Sequence, residues 1–320
     1  MRWGLLSTAR INTKLIAGAA ASTRSEIVAV ASRDQARADA CARAHGIPRA
    51  HGSYEALLAD PEVDAVYVSL PNSMHVEWSI AALQAGKHVL CEKPMSRRPD
   101  QVEAAFDAAD AAGRVLSEAF MWRHHPQARA LARLVSEGAV GPVAHVRAVF
   151  SFPLTDPADV RLAPELDGGA LMDVGCYCVS GARLAAGEPL RVFGEQVIGG
   201  RGVDVRFAGT LHFPGDVVAQ FDCGFTLPGR DELEIIGSDG SLFLDDPWHG
   251  RSPGIEVRRA GATELVAANA GNPYSHELDD LAAAILDGAA PRLGRADALG
   301  QARTIEALYR SADAGVPVVL

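Results

Sequence analysis

Short apolar runs alternate with amphipathic stretches through the first 120 residues of this 320-residue chain. Arg2-Trp3-Gly4-Leu5-Leu6, Ile27-Val28-Ala29-Val30-Ala31, Ala65 to Leu70, His88-Val89-Leu90-Cys91 and Val115-Leu116 predict strands. Helices are predicted over Ile11 to Ala20, Gln35 to His45, Tyr54 to Ala59, Val76 to Ala85 and Asp100 to Ala112. Gly46, Gly86 and Gly113 follow three of them, where a helix ends most easily on a left-handed residue. Ser53 is placed to cap the third helix and Asp60-Pro61 to stop it. A strand that is apolar at successive positions is buried on both faces, so this alternation predicts a parallel sheet covered by helices.

After Phe120 the pattern changes. A helix over Gln127 to Glu137 leads through Gly141-Pro142 to a strand over Val143 to Phe152, and another helix runs from Gly169 to Ala186. Seven strands then follow with turns between them: Val192 to Ile198, Val205 to Phe213, Val217 to Phe225, Glu232 to Ile236, Ser241 to Leu244, Ile255 to Arg259 and Glu264 to Ala268. Turns such as Pro214-Gly215-Asp216 and Ser238-Asp239-Gly240 mark an antiparallel arrangement. Helices over Tyr274 to Asp287 and Ala296 to Ala312 close the chain. The expectation is an α/β protein of two domains, a parallel-sheet domain over 1–120 and an α+β domain with a large open-faced, mainly antiparallel sheet over 121–320. An open face predicts a homodimer or a dimer of dimers.

Composition narrows the function classes. With 48% hydrophobic and 22% charged residues the chain is globular. A net charge of -10 argues against nucleic acid as a partner, because phosphate backbones want a basic face. No apolar run approaches the roughly 20 residues of a membrane span, and Met1 leads straight into a strand without a leader pattern. The five cysteines Cys41, Cys91, Cys176, Cys178 and Cys223 include no Cys-x-x-Cys pair and are expected as reduced thiols of a cytoplasmic protein. His124-His125 has no partner at ligand spacing, so no metal is expected.

The turn after the first strand is Ser7-Thr8-Ala9-Arg10-Ile11-Asn12. A dinucleotide fingerprint would have glycine at 7, 9 and 12. Ser7 and Ala9 are small enough for the backbone to approach a pyrophosphate, and the following helix aims its N–H groups at that anion. Asn12 does not imitate the third glycine, which predicts a slightly wider helix–strand gap. At the end of the second strand, Ser32-Arg33 and Arg37 stand where an acid would bind the ribose of NAD. Hydroxyl and guanidinium groups suit a 2′-phosphate, so NADP is expected over NAD.

Gly86-Lys87-His88-Val89-Leu90-Cys91-Glu92-Lys93-Pro94 resembles the signature of the glucose–fructose oxidoreductase / inositol dehydrogenase (Gfo/Idh/MocA) family. Gly52-Ser53-Tyr54-Glu55, Pro71-Asn72-Ser73-Met74-His75, Gly168-Gly169-Ala170-Leu171-Met172-Asp173-Val174-Gly175-Cys176-Tyr177 and Gly237-Ser238-Asp239-Gly240-Ser241 agree with it, and the resemblance spans the chain. The nearest branch is that of NADP-dependent D-xylose dehydrogenases and dimeric dihydrodiol dehydrogenases, which is similar in Ser7 to Asn12 and in Tyr177. The resemblance implies a Rossmann domain, an open-faced sheet that commonly dimerises, Lys93 and Tyr177 beside the nicotinamide, and Glu92-Lys93-Pro94 along the cofactor cleft, often with a cis Lys-Pro peptide. It also implies that Trp122 borders substrate and nicotinamide. Leu70, Pro71 and Asn72 are expected at the cofactor, and His75 is a second-tier candidate for shaping the nicotinamide pocket.

Asp173 and Tyr177 are four apart on a predicted helix and so share a face. Oxidising a carbinol requires removal of its hydroxyl proton as hydride leaves. Tyr177 is the expected acid–base group with Lys93 as electrostatic partner and relay; the reverse assignment, Lys93 as base, stays open. Asp173 is expected to bind substrate or orient Lys93. Arg147 and Arg201 are second-tier candidates from sheet strands, as is Tyr274 from the penultimate helix. The expected function is an NADP-dependent dehydrogenase of a sugar or polyol, foremost an aldose at C1. The alternatives are a trans-dihydrodiol or dicarbonyl oxidoreductase, and a non-catalytic nucleotide sensor on the same fold.

Overall fold

The computed structural model describes residues 1–268 and 271–320. The chain divides into two compact units, Met1–His124 with Gly271–Leu299, and His125–Ala270 with Gly300–Leu320.

The first unit is built on six parallel strands: β1 (Arg2–Leu6), β2 (Glu26–Ala31), β3 (Arg49–His51), β4 (Ala65–Val68), β5 (His88–Glu92) and β6 (Leu116–Ala119), in the order β3-β2-β1-β4-β5-β6. Chain direction reverses about β1, so the crevice lies beyond the carboxyl ends of β1 and β4, where such sheets take their ligands. The helices are α1 (Asn12–Ala21), α2 (Gln35–His45), α3 (Tyr54–Leu58), α4 (His75–Gln84), α5 (Pro99–Ala112) and the single turn α6 (Met121–His124). Trp3, Leu5, Val30, Tyr67 and Leu90 of the strands are buried with Leu15 and Ala19 of α1.

In the second unit α7 (Pro126–Ser136) and α8 (Cys176–Ala186) accompany nine strands: β7 (Val143–Ser151), β8 (Arg191–Ile198), β9 (Asp204–His212), β10 (Val218–Gly224), β11 (Arg230–Gly237), β12 (Ser241–Asp245), β13 (Gly254–Arg259), β14 (Ala262–Ala267) and β15 (Val318–Val319). Their order is β14-β13-β12-β11-β7-β10-β9-β8-β15. Side chains alternate across the sheet. Val146, Ala148, Leu233, Ile235, Ala219 and Phe221 are buried on the face that α8 covers, whereas Arg147, Gln220, Asp222, Glu232 and Glu234 line an open face with a cavity of about 370 Å³.

The second sheet is mainly antiparallel, as expected, with β7 and β10 pairing in parallel. Two other features depart from the expectation. The segment 271–299 belongs to the first unit rather than to the domain expected over 121–320: α9 (Pro273–Leu286) puts Leu278 and Leu281 into the core with Leu15 and Ala19. A Cβ on Gly18 of α1 would stand 2.6 Å from Tyr274 Cβ, so glycine there permits the contact. The short edge strands β3 and β15 also escape the apolar pattern, being only half-buried or exposed. The last helix, α10, runs Arg295–Ala314.

Candidate active site

Two groups of candidate residues each lie inside a single unit. In the first, Ser7 ends β1 at φ 150°, a backbone setting side chains avoid and glycine tolerates. Its Oγ accepts from Ala9 N–H at 3.1 Å and bonds to the Ser69 carbonyl at 2.9 Å. Asn12 donates from Nδ2 to the Ser7 carbonyl at 2.8 Å, and its Oδ1 accepts from Ser69 Oγ at 2.7 Å. The turn is thus held by side chains where glycine-rich turns rely on close packing. The role of Asn12 was invisible without Ser69, which is 57 positions away. Thr8, Arg10 and Ile11 lie at or near the surface at the mouth of α1, whose first N–H groups donate to the carbonyls of Ala9, Arg10 and Ile11.

Ser32 is buried at the end of β2, and Arg33 and Arg37 are exposed. Asp34 is the nearest carboxylate in sequence; it caps α2, with Oδ1 accepting from Arg37 N–H at 3.0 Å. Among the described residues neither guanidinium has an ion-pair partner, which suits a phosphate dianion.

Beyond β4 and β5, His75 fastens two loops together. Its Nε2 lies 2.8 Å from the Leu70 carbonyl and its Nδ1 2.9 Å from the Pro94 carbonyl, with the ring 1% exposed. Pro71 and Asn72 occupy the short turn between Leu70 and His75. The Lys93-Pro94 peptide is cis. Glu92 accepts from the Lys93 N–H at 3.1 Å through Oε2 and from the Tyr67 hydroxyl through Oε1. Burial, then the Glu92 charge, hold the Tyr67 phenol well above its usual value.

Glu277 of α9 was not foreseen as part of this group, because α9 was expected in the other domain. It is 1% exposed, and neither carboxyl oxygen has a hydrogen-bond partner among the described residues. Burial first, and the Glu92 charge second, push its carboxyl well above the ordinary range. Tyr274, also on α9, adjoins α1.

In the second unit the expected helix over Gly169 to Ala186 begins as a π-helical turn, Leu171–Gly175, before α8. Leu171's carbonyl accepts from the Cys176 N–H. Such wide turns recur at functional sites, and this one carries Asp173 and delivers Tyr177. Asp173 Oδ2 accepts from Arg161 Nε at 2.7 Å, so the carboxylate is paired with a cation that sequence spacing did not indicate. That partnership raises the Arg161 guanidinium further. The Tyr177 ring is edge-on to Phe150 at 5.4 Å and tilted on Trp248 at 5.9 Å.

Three further candidates are Arg147, Trp122 and Arg201. Arg147 lies on the open face of β7, opposite Phe150 and hence opposite Tyr177, beside Gln220 and Glu234. Trp122, on α6, is 1% exposed, with the Arg123 guanidinium 5.7 Å from its ring centroid. Arg201 is exposed and donates to the Pro157 carbonyl.

Residues 1–120 match the profile of the GFO/IDH/MocA oxidoreductase family with its NAD-binding Rossmann fold, and residues 128–243 that of the GFO/IDH/MocA C-terminal domain. D-xylose 1-dehydrogenase (NADP(+)) 2 of Haloferax volcanii is 41% identical over the whole of both chains. The chain belongs to the Gfo/Idh/MocA oxidoreductase family. The resemblance carried by Glu92-Lys93-Pro94 and its companion blocks is therefore correct. A 3-ketoreductase from Actinomadura kijaniata, solved with NADP and TDP-benzene, superposes with a TM-score of 0.91 at 32% identity and 97% coverage of each chain. An aldose–aldose oxidoreductase from Caulobacter crescentus, solved with glycerol, gives 0.93 at 30% identity, covering 100% of this chain and 99% of that one. Among the described residues no helix is long and apolar enough to cross a membrane.

Proposed function

We propose that this family member is an NADP-dependent dehydrogenase of a sugar or polyol, with C1 of an aldopyranose such as xylose or glucose as its leading substrate position. The observation that carries the cofactor choice is the end of β2. Ser32, Arg33 and Arg37 gather there, and the adjacent Asp34 is engaged with its own helix. The turn stapled by Asn12, the N-terminus of α1 and the loops joined by His75 fit a dinucleotide laid along the carboxyl ends of the strands. The Haloferax relative's activity supports the substrate class over the full length of the chain.

When bound, NADP supplies the hydride acceptor. The protein's residues do the rest. The Tyr177 phenolate, favoured by the neighbouring Lys93 ammonium, takes the hydroxyl proton, Lys93 relays it to solvent, and Asp173, oriented by Arg161, accepts a hydrogen bond from a substrate hydroxyl. Variants of the Actinomadura enzyme have been solved with a lysine and with a tyrosine replaced, and those two positions are as far apart in sequence as Lys93 and Tyr177. The reading includes a cytoplasmic enzyme that pairs with a second copy through the open sheet face.

The test is NADP reduction at 340 nm across pentoses, hexoses, inositols and trans-dihydrodiols. Turnover of an aldose with a preference for NADP is expected. Tight NADPH binding with no turnover of any of these in either direction would replace the enzyme with a sensor, and turnover of dihydrodiols alone would move the substrate class.

A further inference from the structure

The turn that presents Asp173 and Tyr177 is gripped by residues that have no contact with substrate in the proposed chemistry. Asp204, the first residue of β9, is 3% exposed. Its Oδ2 accepts from the Leu171 N–H at 2.7 Å and its Oδ1 from the Tyr309 hydroxyl at 2.9 Å. Gly169 lies against the same carboxylate: at φ +132° its Cβ would stand 2.1 Å from Asp204 Oδ1 and 3.0 Å from Tyr309 Oη, so any side chain there would expel Asp204.

The other side is held by Arg161. Its carbonyl accepts from the Gly169 N–H at 2.9 Å, and its guanidinium holds Asp173. A Cβ on Gly168 would lie 2.4 Å from that carbonyl. Below, Gly175 allows the turn to sit on Cys223, whose Sγ would be 2.8 Å from an added Cβ. Gln301 of α10 donates to the Cys176 carbonyl at 2.7 Å, just after the π turn.

A wide turn is less favourable than continuous α-helix and persists where its surroundings over-determine it. Asp204 supplies the acceptor for the N–H that opens this turn, and does so through a buried bond of 2.7 Å. We propose that Asp204, together with Tyr309 and Gly169, is a positioning device for the reaction: it fixes the π-helical turn and thereby the placement of Asp173 and Tyr177. The inference rests on the role proposed for Tyr177.

The experiment compares Asp204→Ala, Asp204→Asn and Tyr309→Phe with wild type and with Tyr177→Phe. Folding is monitored by circular dichroism, NADPH affinity by fluorescence, and kcat and KM with the aldose that wild type turns over. Misplacement of reacting groups by about an ångström costs on the order of 10²-fold. Asp204→Ala should lose 10- to 100-fold in kcat with NADPH affinity within twofold of wild type. Asp204→Asn, which retains an oxygen for the Leu171 N–H, should recover most of the loss, and Tyr309→Phe should lose severalfold. A purely structural carboxylate would lower stability and leave kcat per folded enzyme unchanged. If Asp204→Ala folds with kcat within twofold of wild type, the inference fails; if it does not fold, unchanged kcat in both Asp204→Asn and Tyr309→Phe defeats it equally. Full activity in Tyr177→Phe would instead overturn the underlying acid–base assignment.

Discussion

Asn12 Nδ2 donates to the Ser7 carbonyl across 2.8 Å, and this bond does the work that small glycines do in other dinucleotide turns. The donor side of the Asn12 amide fixes the carbonyl at the end of β1, and the acceptor side takes the Ser69 hydroxyl. Restoring glycine at position 12 should therefore harm the protein, although it brings the turn closer to the usual fingerprint. Asn12→Gly leaves the Ser7 carbonyl without its side-chain donor, at about 1–3 kcal/mol, while Ser69 Oγ keeps the Ser7 hydroxyl 2.9 Å away. Urea unfolding should show a loss in that range, accompanied by weaker NADPH binding. A variant as stable as wild type would show the staple to be dispensable.

Reading these residues in sequence had clear physical limits. Ala65 to Leu70 and His88 to Cys91 announce buried strands because all but Ser69 and His88 are apolar, and the structure has β4 and β5 there. The periodicity of α9 reveals a helix but not which sheet it covers, so its return to the first unit was hidden, and Glu277 with it. Small polar residues gave no warning either. Asn12 with Ser69, Arg161 with Asp173, and Asp204 with Leu171 are pairs formed only when the chain folds back across 57, 12 and 33 positions. The face that Arg147 takes was hidden for a simpler reason: strand alternation places it away from Phe150, and which face is open cannot be read from one strand alone.

Arg33 and Arg37 should set cofactor preference. A guanidinium–phosphate bond is worth about 1.5–3 kcal/mol. Arg33→Ala should thus lower kcat/KM for NADP by roughly 10- to 100-fold and leave that for NAD nearly unchanged, because NAD lacks the phosphate. A wild-type enzyme that favours NAD would remove the basis of the assignment.

Asp204 also makes a pH prediction. Burial outweighs the bonds from Leu171 and Tyr309 and lifts its carboxyl from 3.8 to about 6. The fold thus favours the protonated form. Its stabilising contribution is complete below the unfolded value and is lost as the pH rises through about 6. Tyr309 and the buried Cys223 thiol face the same carboxyl. Relative to wild type, the unfolding free energy of Asp204→Asn should improve by on the order of 2–3 kcal/mol between pH 4 and pH 8. A pH-independent difference would mean that Asp204 keeps an ordinary value.

The thiols should be inert in the native protein. Burial raises those of Cys91, Cys178 and Cys223, and Cys176 is buried alongside them. Only Cys41 is half-buried, and its thiol too is raised by burial. Ellman's reagent should label at most one thiol per native chain, slowly, and all five after denaturation. Rapid native labelling of Cys176 or Cys178 would mean that α8 opens readily.

The decisive prediction concerns Tyr177 and Lys93. If Tyr177 moves the carbinol proton, Tyr177→Phe should reduce kcat by about 10²–10⁴-fold, the ordinary worth of general acid–base catalysis. The ring's packing on Phe150 and Trp248 survives loss of the hydroxyl, so stability should hold. NADPH affinity should hold as well, since the cradle formed by Ser7, Asn12 and Arg33 is untouched. Lys93→Ala should be comparably damaging, because a phenol without a neighbouring cation is a poor base at neutral pH. The informative variant is the double one. Two groups that pass a single proton act as a unit, so Tyr177→Phe combined with Lys93→Ala should be little slower than either alone. Fully additive losses would mean that the two residues serve separate steps. Near-normal turnover by Tyr177→Phe, together with a severe loss in Lys93→Ala, would make Lys93 the base.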